Sequence, residues 1–257
     1  MDHSRVVKLM QEGALDEALS VLEQLFKNAE LAVAPTPSDI FMTMFQLQLL
    51  AEHYEPARVF LRSMRDNQAE RLLAGDIYVG LESEPAVEEY HRIRRFSLIV
   101  RINDMLEDPA STCEVFSKLD SDHPELARRN ASGALSALVA EGHFELADKY
   151  RDDPLQLLEV VNQNALALPL YPQSRGAPRL AAELSSLVHD VSIGMAVLRG
   201  MGNSDQAGAL HEALMAGIDS DELKALAQRE LEAPGTITRE LVDRQIAQEA
   251  LDARPPG

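Results

Sequence analysis

Apolar residues recur along most of the chain at the three- and four-residue spacing of amphipathic helices. In the stretch from 14 to 31, Ala18, Leu22 and Leu25 fall on one helical face, and polar residues occupy the opposite side. Alternating runs typical of strands are scarce. The most strand-like run, Phe96–Ile102, lies inside a long helical pattern, so we interpret it as a buried part of a helix. The patterning predicts an all-α fold.

Prolines mark several predicted helix starts. A proline in the first helical turn costs nothing, because the N–H group that it lacks would have no intrahelical partner there. Such starts are predicted at Thr36-Pro37, Glu84-Pro85, Asp108-Pro109, His123-Pro124 and Asp153-Pro154. Other helices are predicted over about 2–12, 14–31, 55–64, 68–81, 179–200, 203–217, 219–232 and 236–252.

The clearest interruption of this pattern is Leu168–Pro178, which contains three prolines and a glycine. We therefore predict a helical repeat region over 1–168 and a C-terminal helical region over 175–252 that continues the stack. Residues 253–257 are expected to form a frayed tail.

A degenerate turn signature occurs four times between helical stretches. A glycine or glutamate ends one helix, an apolar residue two positions later packs onto the next, and an alanine five positions later permits close helix approach. The copies are Gly13-x-Leu15-x-x-Ala18, Glu52-x-Tyr54-x-x-Ala57, Gly142-x-Phe144-x-x-Ala147 and Gly202-x-Ser204-x-x-Ala207, the last with serine at the apolar position.

The segment Gln11–Ser20 resembles the central turn of a tetratricopeptide repeat (TPR), and Ala51–Ala57 and Glu141–Ala147 match the same turn. The turns at 13, 52, 142 and 202 are separated by 39, 90 and 60 residues, whereas the family repeats about every 34 residues. The resemblance implies a TPR-like, right-handed α-superhelix built from irregular helical hairpins. It also implies a groove that binds other molecules rather than transforming them.

The formal net charge of −18 restricts the class of partner. A strongly acidic surface repels nucleic-acid phosphates and anionic lipids, so we expect neither nucleic acid nor a membrane as partner. Basic partners would be favoured, although the charge also serves solubility alone. No run of about 18 apolar residues indicates a membrane span. The single cysteine, Cys113, and the polar start Met1–Arg5 favour a cytoplasmic location.

The motifs of common catalytic and metal sites are missing from the sequence. There is no His-Glu-x-x-His, Cys-x-x-Cys, EF-hand loop or Gly-x-Ser-x-Gly elbow. The pair Gly200 and Gly202 lacks the third glycine of a dinucleotide loop. His53 and His143 occupy equivalent turn positions, which we interpret as a repeat feature. We therefore expect no enzyme activity, no cofactor and no metal.

Cys113 falls one turn into a predicted helix, where the helix dipole would lower a thiol pKa. No base accompanies it in the sequence. We therefore interpret Cys113 as a buried structural thiol.

Basic residues cluster in two places despite the acidic composition. Four arginines occur between 91 and 101 with no acid among them, and a smaller pair follows in the next predicted helices. Guanidinium groups match carboxylate geometry, so these arginines are candidates for binding an acidic partner. Alternatively, they pair with the surplus of Asp and Glu. The candidates are Arg92, Arg94, Arg95, Arg101, Arg128 and Arg129, of which Arg94 and Arg101 share a helix face.

These features together predict a protein-interaction module or adaptor that binds a partner protein or peptide through a helical groove. One alternative is an acidic inhibitor or immunity-type protein that blocks a basic partner by charge complementarity. Another is a helical enzyme or small-molecule sensor with a pocket between helices. The shape and chemistry of the surface would distinguish the three.

Overall fold

A computed structural model of the chain describes residues 3–33, 35, 37–81, 92–172 and 176–252. Within these ranges the chain forms thirteen helices and no β-strand, which confirms the all-α prediction. The helices are α1 His3–Gln11, α2 Leu15–Glu30, α3 Pro37–Ala51, α4 Glu55–Leu73, α5 Arg95–Leu106, α6 Pro109–Asp122, α7 Pro124–Ala140, α8 Phe144–Tyr150, α9 Leu158–Ala165, α10 Arg179–Gly200, α11 Ser204–Gly217, α12 Asp221–Glu232 and α13 Thr236–Asp252.

The chain divides into two compact units, Met1–Glu141 and Gly142–Gly257. The division does not fall in the proline-rich segment that the sequence singled out. Leu170 of that segment is buried in the second unit, and Leu168 and Tyr171 pack against the same core. The segment therefore belongs to the second unit, because its apolar side chains are covered there instead of facing solvent.

Most of the predicted proline starts are confirmed. Pro37, Pro109 and Pro124 each begin a helix, and the Asp108 carboxylate caps α6 by accepting a hydrogen bond from the Ser111 N–H at 3.1 Å. The Asp153-Pro154 pair instead opens a tight turn, and α9 begins only at Leu158. The Glu84-Pro85 start lies outside the described residues.

Two helices predicted over 55–64 and 68–81 form the single helix α4, which ends at Leu73. No glycine or proline interrupts the chain between them. Gln68 and Leu72 are buried on the same side of the helix as Leu61 and Met64. Packing of this side therefore stabilises one continuous helix. The Phe96–Ile102 run is helical, as predicted, and lies in α5.

In the first unit, each helix packs against the next, and several also pack against the helix after that. α1 contacts α2 and α3, and α5 contacts α4, α6 and α7. The rings of Phe96 and Phe116, with centroids 5.9 Å apart, join α5 to α6. The core shared by α1–α5 is mostly aliphatic, in keeping with an aromatic content of 5%; it includes Leu22, Met44, Leu47, Leu61 and Ile102.

The second unit is built around α10, which packs against α8, α9, α11 and α12. Of the helices in the described ranges, only α10 is long and apolar enough to cross a membrane by length and composition. The sequence analysis did not predict this candidate. Of the most apolar 18-residue stretch of α10, 56% is buried inside the protein. Gly194 allows its close packing, because a Cβ there would lie 2.8 Å from Cγ of Pro154.

The turn signature has a consistent structural basis. Ala18, Ala57, Ala147 and Ala207 are all fully buried. Gly13 and Gly142 adopt φ values of 76° and 77°, a left-handed conformation that side chains other than glycine rarely adopt. Within the first unit, the Tyr54 hydroxyl donates a hydrogen bond to the Asp16 carboxylate, so the second copy of the signature is tied to the first.

Candidate functional site

Arg95, one of the predicted partner-binding residues, is a buried structural residue. The Arg95 side chain lies at the start of α5 and is 0% exposed to solvent. Nε donates to the Asp76 carbonyl oxygen at 2.8 Å, and Nη2 donates to Asp76 Oδ2 at 2.8 Å and to the Tyr78 carbonyl oxygen at 2.6 Å. Nη1 donates to Gln68 Oε1 and lies 3.5 Å from Glu30 Oε1. The prediction that Arg95 binds a partner is therefore corrected.

A second arginine, Arg71, completes the partly buried network around Arg95. Its Nη1 lies 2.6 Å from Glu30 Oε1, and its Nη2 lies 2.7 Å from Asp76 Oδ2. Burial by itself raises the pKa of Asp76, but hydrogen bonds from Arg71 and Arg95 outweigh burial and hold the pKa below 3.8. We call Glu30, Gln68, Arg71, Asp76 and Arg95 the arginine network. It connects α2, α4, α5 and the loop between α4 and α5.

The side chains of Arg92, Arg94 and Arg101, the other arginines of the first predicted cluster, make contacts different from those of Arg95. Arg94 Nη1 donates to the carbonyl oxygen of Arg129 at 3.1 Å, so the structure brings the two predicted basic clusters together. The Arg92 guanidinium lies 4.1 Å from the ring centroid of Tyr78. Arg128 and Arg129 are exposed on α7. Arg101 contacts a different element, α3. The prediction that it shares a helix face with Arg94 is wrong, because α5 begins at Arg95 and Arg94 is extended.

An open cavity of ≈ 440 Å³ lies beside Arg129, at the start of α7. Ile77 and Leu126 give it an apolar lining, and His123 and Glu125 add an imidazole and a carboxylate. Its volume is within the usual range for small-molecule sites. The cavity is broadly open to solvent, so it offers a ligand little of the enclosure that such sites commonly provide.

The most unusual surface of the first unit is an exposed apolar face on α3. Its members are Phe41, Met42, Phe45 and Leu49, which are 51%, 37%, 42% and 40% exposed. The rings of Phe41 and Phe45 stack nearly parallel, with centroids 6.4 Å apart. We call these four residues the α3 aromatic face. The other side of the same helix, which includes Met44 and Leu47, forms part of the core.

Arg101 of α5 borders the α3 aromatic face. Its guanidinium carbon lies 4.7 Å from the ring centroid of Phe41. The side chain is partly buried, and this desolvation lowers the pKa of the guanidinium. Among the described residues, Arg101 has neither a hydrogen-bond partner nor a carboxylate within ion-pair distance. Its positive charge is therefore held against an aromatic ring without an anion.

The other flank of α3 is formed by α1. His3 Nδ1 lies 2.8 Å from Gln46 Oε1, and Gln46 Nε2 donates to the His3 carbonyl oxygen at 3.0 Å. Val7, one turn after His3 on the same helix face, is 45% exposed. Helix α3 thus contacts α1 through Gln46, whereas its aromatic face contacts Arg101 of α5.

Sequence reasoning missed the α3 aromatic face because its residues resemble core residues. The helix is apolar on every side, and a helix of that kind is ordinarily buried all round. The signal that could have found it is the complete absence of charged residues from Ile40 to Ala51 in so highly charged a chain. Only the packing shows which of these apolar residues remain uncovered.

Cys113 is a buried thiol, as predicted. Burial, with a smaller contribution from the charge of Glu141, raises its pKa to about 11. Burial therefore prevails over the helix-dipole effect that the sequence suggested. In the part of the chain that the structure describes, no group of three or more His, Cys, Asp or Glu side chains could hold a metal ion.

We predict that Cys113 of the native protein resists thiol reagents. At pH 8, a pKa of about 11 leaves roughly 0.1% thiolate, against about a quarter for an ordinary thiol with a pKa near 8.5. Labelling by a disulfide reagent should be at least about 100-fold slower in buffer than in denaturing urea. Complete labelling of the folded protein within the mixing time would contradict this assignment.

Comparison with known proteins gives no indication of function, so the exposed surface of the chain is the only guide to it. No protein-family model, no curated protein and no solved structure matches the chain. Function must therefore be argued from the exposed chemistry described above. The α3 aromatic face with Arg101 and the cavity beside Arg129 are the two surfaces that can support such an argument.

Proposed function

We propose that the protein is an interaction module that binds a partner protein or peptide through the α3 aromatic face. The observation that carries this proposal is the exposure of four large apolar side chains, two of them stacked phenylalanines, on one helix. Single exposed apolar residues are common, but contiguous apolar patches mark interaction surfaces. Aromatic residues and arginine, both present here, are enriched where interfaces gain most of their binding energy.

The energetic scale supports a partner that extends beyond α3. Full burial of such a side chain contributes ~1.5–3 kcal/mol. Each of the four is 37–51% exposed, so covering all of them contributes about 2.5–5 kcal/mol. Association itself costs on the order of 4–15 kcal/mol. The partner must therefore also contact the flanks, where Arg101 and Val7 are available.

The helix packing supports a TPR-like arrangement as the scaffold for this surface. In the first unit, the contacts between successive helices, between α1 and α3 and between α5 and α7 are what stacked hairpins would produce, and they support this proposal. We propose that this stacking forms a right-handed superhelix and that α1, α3 and α5 contribute to one binding surface. The charge of −18 supports a protein partner over nucleic acid or a membrane. Cytoplasmic location remains a prediction.

A second candidate function is small-molecule binding in the ≈ 440 Å³ cavity beside Arg129. The meeting of Arg94 with Arg129 at its edge favours an anionic ligand. We rank it below protein binding because the cavity is open and Glu125 contributes an opposing charge. The acidic-inhibitor alternative rests on net charge alone.

The proposal predicts that Phe45→Asp abolishes capture of the native partner. The aspartate places a charge at the centre of the face, where the partner would have to bury it unpaired. Tagged wild-type and variant proteins, expressed at equal levels in their own cells, should be recovered after mild crosslinking. Mass spectrometry should show one or more proteins that are retained by wild type and lost from Phe45→Asp.

Val59→Asp is the matched control, because Val59 on α4 is also an exposed apolar residue, at 55%. It should retain the same proteins as wild type. Both variants should remain folded, as circular dichroism can check, because neither residue belongs to the buried core. Equal loss from the two variants, or no loss from either, would contradict the proposed site.

A further inference from the structure

We infer that the α3 aromatic face receives an acidic amphipathic helix of a partner protein, and that a carboxylate of this helix pairs with Arg101. The inference rests on the proposed function and specifies the chemistry of the partner. It follows from three features of the site: the shape of the face, the state of Arg101 and the charge around them.

The shape of the face favours a helix as the bound element. The exposed residues at 41, 45 and 49 recur every four positions, and they extend over about 12 Å, or two helical turns. The backbone of α3 is hydrogen-bonded within the helix, so it offers no open strand edge for a partner strand. Recognition must therefore proceed through side chains, as it does when an amphipathic helix lays its apolar stripe on a helical surface.

Arg101 differs from three other partly buried arginines of the protein, whereas Arg92, over the Tyr78 ring, resembles it. Arg65, Arg71 and Arg151 are 15%, 32% and 23% exposed in their side chains, and each lies within 2.8 Å of a carboxylate oxygen. Arg101 has comparable burial and, within the described ranges, no such anion. A partner carboxylate would supply the missing charge, and the Phe41 ring holds the guanidinium in place for a paired hydrogen bond.

The acidic surface of the protein limits how acidic the partner can be. Long-range repulsion from a charge of −18 opposes any anionic partner, but it is screened over about 8 Å at physiological salt. A carboxylate in contact with Arg101 gains a short-range attraction that such screening affects much less. The structure thus fits a helix with one or two acidic residues beside an apolar stripe, and disfavours a polyacidic tail.

The inference can be tested with a displayed peptide library panned against the full-length protein. Each peptide is an amphipathic helix with a fixed Leu stripe at i, i+4 and i+7 and with randomised flanking positions. On wild type, Asp and Glu should be enriched at the flanking positions near one end of the stripe. On Arg101→Gln this acidic preference should disappear while apolar binders remain. Phe45→Asp should retain no binders, and Val59→Asp should retain those of wild type.

The carboxylate contact can then be measured with the best peptide and its Glu→Gln analogue. Either Arg101→Gln or the analogue alone should weaken binding about tenfold, and the combination should weaken it no further. Enrichment of Lys and Arg, absence of charge preference, or independent effects of the two changes would overturn the inference. Any of these results, with binding still lost in Phe45→Asp, would leave the proposed function standing.

Two further outcomes also decide between the proposals. If the same peptides bind Phe45→Asp and wild type equally, both the proposed function and the inference fail. If sedimentation shows that wild type self-associates and that Phe45→Asp does not, the occupant of the face is a second copy of this chain. That result would overturn the acidic-helix inference.

Discussion

Replacing Arg95 with alanine is expected to lower the free energy of unfolding by about 2–4 kcal/mol. This is less than the ~3–5 kcal/mol of a fully buried ion pair, because the Asp76 carboxylate is 40% exposed and also contacts Arg71. The substitution removes every donor that Arg95 provides to Gln68, to the Tyr78 carbonyl and to both the carbonyl and carboxylate of Asp76. The Asp76 carbonyl oxygen and Gln68 Oε1 would lose this donor in a space that alanine cannot fill, whereas the Asp76 carboxylate would keep Arg71. Urea denaturation should show a lower midpoint with an unchanged slope.

Arg94→Ala is the matched control for this prediction. Arg94 is the preceding residue, but its side chain is exposed and, among the described residues, donates only to the Arg129 carbonyl oxygen. Its replacement should change stability by no more than about 0.5 kcal/mol. Equal effects of the two substitutions would show that the arginine network does not stabilise the first unit.

The arginine network also predicts the pH dependence of the difference between wild type and Arg95→Ala. The pKa of Asp76 in the folded protein lies below its ordinary value of 3.8, so its ionised form stabilises the fold above that pH. This contribution is lost as the pH falls through the lowered pKa. The stability difference between the two proteins should therefore shrink below about pH 3.8, and a difference that widened would contradict the assignment.

Replacing Ala147 with leucine is expected to destabilise the protein by about 1–3 kcal/mol. Ala147 is fully buried on α8, which packs against α10. The larger side chain would have to displace its neighbours or move the short helix, because well-packed interiors leave little free volume. Thermal unfolding followed by circular dichroism should show a lower midpoint.

Ala213→Leu provides the comparison for Ala147→Leu. Ala213 is exposed on α11 of the same unit, so the same added volume meets solvent. The control should remain within about 0.5 kcal/mol of wild type. If the two substitutions have the same effect, the alanine of this turn signature is not at a close contact.

The helices were largely predictable from the sequence because their signals are local. The periodic apolar positions, the prolines at 37, 109 and 124, and the glycines at the turns each act within one or two helical turns. The predicted ranges for α10 to α13 agree closely with the structure for the same reason. Where a local signal was lacking, as between Met64 and Gln68, the prediction introduced a break that packing removes.

The roles of the arginines were less predictable, because pairing depends on distant parts of the chain. Arg95 forms ion pairs with residues of α2 and of the loop after α4, and Arg101 contacts Phe41 across 60 residues of sequence. One local signal was present but unused. Arg95 precedes the buried residues Ile99 and Ile102 by four and seven positions, which places its side chain on the core face of α5.

The division between the two units was also hidden from the sequence. It falls at Glu141–Gly142, inside a copy of the turn signature that elsewhere connects helices within one unit. Composition distinguishes the proline-rich segment, but burial of Leu170 places that segment inside the second unit. A turn signature predicts a change of chain direction and carries no information about which helices then share a core.

Site-specific photo-crosslinking in living cells tests most directly whether the α3 aromatic face binds a partner. A photoreactive phenylalanine analogue should be incorporated at position 45 in one strain and at position 59 in another. We expect a discrete covalent adduct to another protein from position 45, and none from position 59. Absence of an adduct at 45, or the same adducts from both positions, would contradict this expectation.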